Sequence, residues 1–144
     1  MDLLLLATLL IVGFVGCAEF ASVALVHPII RRLPEDQQLV MEQGLLRTYG
    51  MIMPVGMTLA AVLPMMLSFR EADPWFLTAG IVLTIALIAT ILGNVPINLR
   101  TFRIKGARAP KGFIPMRRRW DIYQAIRGSL QLAGFVLVSI GIVA

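Results

Sequence analysis

The sequence predicts an all-α integral membrane protein, a single transmembrane domain over residues 1–144 built as a four-helix bundle of antiparallel helices. Three observations predict it. The chain is 58% hydrophobic and only 15% charged, where a soluble domain is about half apolar and about a quarter charged. Its apolar residues form four blocks, each close to the ~20 residues needed to cross a hydrocarbon core as a helix. Most of its charged residues gather in short stretches beside those blocks. Little chain is left for a soluble domain, and lipid admits only backbones that satisfy their own hydrogen bonds.

The first block covers residues 3–26. No Lys or Arg precedes its apolar run, as a signal peptide would require, so it reads as an uncleaved helix. Val15-Gly16-Cys17 resembles a lipoprotein cleavage site only faintly, because Phe14 fits that pattern poorly. The second block, 45–69, contains Pro54 and Pro64, where bends are expected. Ala72-Asp73-Pro74 is too short to be anything but the turn of a helical hairpin into the third block, 75–95. The fourth block covers 120–143. Between them lie two basic loops, 27–44 and 100–119, the second containing a flexible Gly- and Pro-bearing stretch from Lys105 to Pro115.

The loops set the orientation. Residues 100–119 hold eight of the thirteen Lys and Arg, and Arg31, Arg32 and Arg47 lie on the same side. The opposite side has only Arg70. The positive-inside rule places both basic loops in the cytoplasm and both termini outside it, in an inner membrane if the source is bacterial. A net charge of +5 is thereby explained by topology and by attraction to anionic lipid, the expected surroundings, and no nucleic-acid partner is implied.

Ionisable groups inside a span are costly and mark function or a specific pairing. Glu19 lies eight residues before His27, at the cytoplasmic end of the first helix, and Arg127 lies eight residues after Arg119. At 1.5 Å per residue both sit about 12 Å into the membrane from the same side, so a Glu19–Arg127 pair is expected. Its plainer reading is a structural ion pair that fixes helix register. Trp120, Gln124, Arg127, Gln131 and Gly134 share one face of the fourth helix. Asn94-Val95-Pro96-Ile97-Asn98, His27-Pro28, Arg47 and Tyr49 reach the same level. Each has a plainer role as well: His27 closing a helix, the asparagines capping one, Trp120 anchoring at the interface. A pocket, if there is one, belongs in the cytoplasmic half.

Metal ligands are scarce. Cys17 and His27 are the single cysteine and histidine, which excludes an intrachain disulfide and leaves catalytic zinc short of its usual three protein ligands. Glu19 and His27, about 12 Å apart along one helix, cannot share an ion. A symmetric homo-oligomer would supply a second His27, and only there is haem or a metal expected. Met51, Met53, Met57, Met65 and Met66 suit a soft metal such as copper, but methionine is also an ordinary residue of apolar spans.

Glu19-Phe20 followed by His27-Pro28-Ile29-Ile30-Arg31-Arg32-Leu33-Pro34 resembles the first-helix signature of the anthrone oxygenase-like membrane proteins. Asn94 to Asn98 and the run from Arg118 through Arg127 resemble that family's second signature. The resemblance extends over nearly the whole chain and implies the same four-helix plan. It also implies oxidation of an anthrone to an anthraquinone without a conventional cofactor, as linked to some fungal members. The site residues it implies are Glu19 and His27 as catalytic groups, with Asn94, Asn98, Trp120, Gln124 and Arg127 binding substrate. One departure matters: many relatives carry histidine where this chain has Gln124, and glutamine cannot accept a proton at neutral pH. The base is then His27 or Glu19.

The expected function is a membrane oxygenase or oxidoreductase acting on a lipophilic, anthrone-like or phenolic small molecule. The alternatives are a proton-coupled small-solute transporter using Glu19, or an accessory subunit of a membrane complex. Arg127 beside the carboxylate and a polar cluster confined to one side argue against transport.

Overall fold

The computed structural model describes residues 2–144, which form four long helices: α1 Leu3–Ile30, α2 Glu35–Glu71, α3 Pro74–Arg103 and α4 Phe113–Val143. All four are long and apolar enough to cross a membrane, and the chain is a multi-pass membrane protein. They stand in a ring in which α1 and α3 each pack against both α2 and α4. At the end where the chain begins, Asp2 caps α1 through the Leu4 amide at 3.0 Å and Asp73 caps α3 through the Trp75 amide at 2.7 Å. Both carboxylates satisfy amides that a helix start leaves without partners. Ala72 makes the turn in a left-handed conformation with φ of 52°, unusual for a residue with a Cβ. Arg70 reaches Asp2 and bonds Glu71 at 2.7 Å.

The apolar core occupies this half of the bundle: Val12, Val15, Met57, Ala60, Leu83 and Val138 are almost fully enclosed. Small residues let the backbones close up. A Cβ on Gly16 would stand 2.9 Å from the Gln131 carbonyl oxygen, and one on Gly128 would stand 3.0 Å from that of Glu19. α1 and α4 therefore approach closely over several turns, and this contact delivers Glu19 to α4.

The loops are shorter than the sequence suggests. Of the expected basic loop at 27–44 only residues 31–34 are non-helical, and of 100–119 only 104–112. α2 has 37 residues, or about 55 Å at 1.5 Å per residue, so it extends well beyond a ~30 Å hydrocarbon core. The extension is stabilised by burial of Leu39 and by side-chain bonds. Gln38 donates to the Leu33 carbonyl at 2.7 Å, and Gln43 donates to the Thr101 and Ile104 carbonyls at 3.1 and 2.9 Å, capping α3. The Lys105–Pro115 stretch is likewise anchored: the Ala109 amide donates to Asp36 at 2.7 Å, and Phe113 is buried.

Two π-helical turns interrupt the helices near this basic end, Ser22–Val26 in α1 and Thr90–Asn94 in α3. Their cause is legible. Pro28 and Pro96 each follow two residues after the turn, and proline lacks an N–H and crowds the carbonyl four residues back. Those carbonyls, of Ala24 and Leu92, lie inside the two π turns, where the wider ring accommodates the clash. His27 is thus not the end of its helix, which continues to Ile30.

Candidate functional site

Two buried ionic clusters lie at the basic end. In the first, the Glu19 carboxylate is fully enclosed. Its Oε2 accepts from the Arg127 guanidinium at 2.5 Å and from Gln124 Nε2 at 2.8 Å. Its Oε1 has no partner, nor has Arg127 Nε. A charge this deep needs a counter-ion and hydrogen bonds, and α1 and α4 supply them because the glycine contact brings them to matched depth.

Glu19 and Arg127 form part of the wall of a cavity of about 420 Å³, within the 300–1,000 Å³ common for small-molecule pockets. α2 lines it with Leu45, Leu46, Tyr49, Gly50, Met53 and Pro54, and α3 with Thr90, Val95, Asn98, Leu99 and Phe102. The wall is mostly hydrocarbon, with Glu19, Arg127, Asn98, Thr90 and Tyr49 as its polar points. Every lining residue of α2 lies at or before Pro54, and every one of α3 at or after Thr90. The space therefore adjoins the irregular part of each helix, where regular side-by-side packing stops.

The second cluster is His27, Glu42, Arg117 and Trp120, all buried. Glu42 stands 2.6 Å from Arg117 and 3.6 Å from His27 Nε2. His27 Nδ1 lies 2.8 Å from the Ser22 carbonyl oxygen, which only accepts, so Nδ1 carries a proton. Trp120 touches the His27 and Arg117 side chains: its ring lies 4.6 Å from the His27 ring, tilted by 37°, and the Arg117 guanidinium carbon sits 4.2 Å over it. A smaller recess of about 210 Å³ adjoins this cluster, with Arg31, Gln38, Glu42, Arg117 and Asp121 in its wall.

The residues singled out in the sequence are thus divided. Glu19, Arg127 and Asn98 line the cavity of about 420 Å³. Gln124 supports Glu19 by donating to its Oε2. Asn94 is enclosed and donates to the Trp120 carbonyl at 3.5 Å. His27 and Trp120 belong to the second cluster and are not on the cavity wall. Met51 and Met66 face outward while Met53 and Met57 face inward, so the methionines do not converge on one point. Among the described residues no group of three or more His, Cys, Asp or Glu is placed to hold a metal ion.

Glu42 and Arg117 escape the sequence reading because they fall in stretches whose polarity reads as loop. Signals for both exist. Glu42 lies eleven residues, three turns, before Met53 on the buried face of α2. Arg117 lies three residues before Trp120 and begins the same stripe one step earlier.

A family model described as anthrone oxygenase matches residues 39–137. The match begins inside α2, so Glu19 and His27 lie outside it, a narrower reach than the first-helix signature implied. Comparisons with curated proteins and with solved structures give no significant match. The family match spans well over half of the chain, from the extension of α2 through the α3 irregularity to the polar stripe of α4, and the chain belongs to the anthrone oxygenase family.

Proposed function

We propose that this protein is a membrane oxygenase that converts an activated ring methylene of a lipophilic, anthrone-like molecule to a ketone. Membership of the anthrone oxygenase family supports the reaction class, and one observation carries the assignment of roles. Glu19 is on the wall of the apolar cavity, and its buried Oε1 has no partner while Arg127 and Gln124 hold Oε2. A fixed carboxylate with an uncommitted oxygen can act as a general base once the substrate comes within hydrogen-bond reach of it. It removes a proton from the methylene, and the charge moves to the carbonyl oxygen of the substrate. Arg127, whose Nε has no partner, and the Asn98 amide are the wall groups to which we assign that oxyanion. The carbanion reduces O2 and bonds to it, giving a peroxide that takes the proton back. Loss of water then leaves the second carbonyl, so one methylene and one O2 become one ketone and one water.

His27 is not on the cavity wall, so of the two candidate bases we assign the step to Glu19 and a structural role to His27. The basic loops face the cytoplasm under the positive-inside rule, which puts the cavity in the cytoplasmic half and both termini outside.

The test is O2 uptake with formation of quinone absorbance from 1,8-dihydroxyanthrone by the protein in phosphatidylcholine vesicles. Turnover by the wild type is expected, with a loss of about 10²–10⁴-fold in Glu19→Gln. No uptake by the wild type, or equal rates in the variant, would discard the reading.

A further inference from the structure

The cavity grades from one kind of residue to another. At its floor Glu19 is 0% and Arg127 7% exposed, while at its rim Leu99 and Phe102 are 50% and 56% exposed. Gly50 and Pro54 complete the rim from α2 and are exposed as well. Beside the rim on the same helices stand Met51, Ile52, Val55, Ile91 and Leu92, all large, apolar and exposed. On a membrane span such a surface meets lipid, because lipid tails solvate it as well as protein does. The rim is therefore a gap in a lipid-facing surface. Its far end adjoins Arg100 and Arg103, which follow Leu99 and Phe102 directly, and basic residues sit at headgroup level. From Phe102 to Thr90 is twelve residues, or about 18 Å, so the cavity reaches from the headgroups into the hydrocarbon.

Gly50 stands at the mouth with room beside it. A Cβ there meets only Leu46, at 3.5 and 3.7 Å, which is ordinary contact. The buried glycines of the bundle differ, since Gly16 and Gly128 are filled to within 3.0 Å. Pro54, one turn on, cannot donate to the Gly50 carbonyl, which leaves that oxygen at the mouth without its helical donor.

We infer that the cavity opens sideways into the bilayer between α2 and α3, and that its occupant, a fused-ring phenol or ketone, reaches Glu19 from the lipid. The naming of the occupant rests on the proposed function; the opening does not. Apolar rim residues accept the ring system. At the floor Glu19 and Arg127 each keep a buried polar atom without a partner, Oε1 and Nε, and these are the groups its oxygens would engage once seated. Gly50 controls what passes: a large side chain there fills the mouth and leaves the floor untouched.

The opening can be read without turnover. Cys17 is replaced by Ser, Gly50→Cys is given a nitroxide label, and the protein is placed in phosphatidylcholine vesicles. Gly44→Cys, exposed with nothing within 4 Å of its Cβ and outside the cavity lining, is the control. The label at 50 is expected to relax with O2 more than with a water-soluble nickel chelate, and its spectrum to broaden when anthraquinone is added. The label at 44 should not respond to anthraquinone. Relaxation dominated by the nickel chelate at 50 puts the mouth in water and overturns the proposal. So does an oxygen-relaxed label that ignores anthraquinone, because the mouth then leads to no ligand. A protein that passes both measurements but never oxidises dihydroxyanthrone loses the proposed function and keeps the lateral opening. Where turnover is seen, Gly50→Trp should raise KM at least ~10-fold with a much smaller change in kcat, as loss of uniform binding predicts.

Discussion

Toward the Asp2–Arg70 end the four helices close on Val12, Met57, Leu83 and Val138, all fully enclosed. Toward the basic end the same helices enclose Glu19, His27, Glu42, Asn94, Gln124 and Arg127. The first half is regular helix packed through small residues. The second contains both π turns, an open wall and many buried polar atoms without partners. In hydrocarbon an isolated polar group is expensive, so the polar half persists only because its ions neutralise one another. The comparison separates stability from chemistry: the apolar half holds the bundle together, and the irregular half leaves room and reactive groups. The two ionic clusters repeat the contrast on a smaller scale. Glu19 lines a cavity and has one oxygen without a partner, whereas Glu42 is held between His27 and Arg117.

The largest expected effect breaks that last contrast if it fails. Glu19→Gln should cost about 10²–10⁴ in kcat while Glu42→Gln costs less than ~10-fold, measured as quinone formation. The reverse order would move the chemistry to the second cluster. Next, Arg117→Ala strands the Glu42 charge and should cost about 3–5 kcal/mol in denaturant unfolding from mild detergent. The same assay reads the other pair: Arg127→Ala should lose a similar amount, and Glu19→Gln with Arg127→Gln should recover much of it without recovering activity. In the apolar half, Leu83→Ala should cost about 2–5 kcal/mol and leave KM unchanged, since Leu83 is not on the cavity wall. The smallest effect sharpens the role of the Trp120 ring. Trp120→Phe weakens the Arg117 stacking and should lower stability by about 0.5–2 kcal/mol, with turnover preserved.

Four spans, their hairpin turn and the Glu19–Arg127 pair are all legible in the sequence. Each follows from block length or from depth along a helix, which 1.5 Å per residue converts into position. The extension of α2 is not legible in the same way. Gln38, Glu42 and Gln43 read as a polar loop, yet each finds a partner on another segment once the bundle forms. Arg117 is hidden for the same reason, being one of a run of three arginines whose neighbours are exposed. The prolines of α2 predict bends there, but Pro28 and Pro96 give no hint that their helices continue through π turns.

The sequence by itself determined the membrane, the number of crossings and which residues lie at which depth, because hydrophobic blocks and helical rise are one-dimensional properties. Only the tertiary structure decided which polar groups meet. Depth fixes a residue along the bundle axis but not its angle around it, and that angle comes from glycine contacts, π turns and neighbouring helices. His27 and Glu19 lie on one helix eight residues apart, yet the packing sets one against the Trp120 ring and the other on the wall of a cavity.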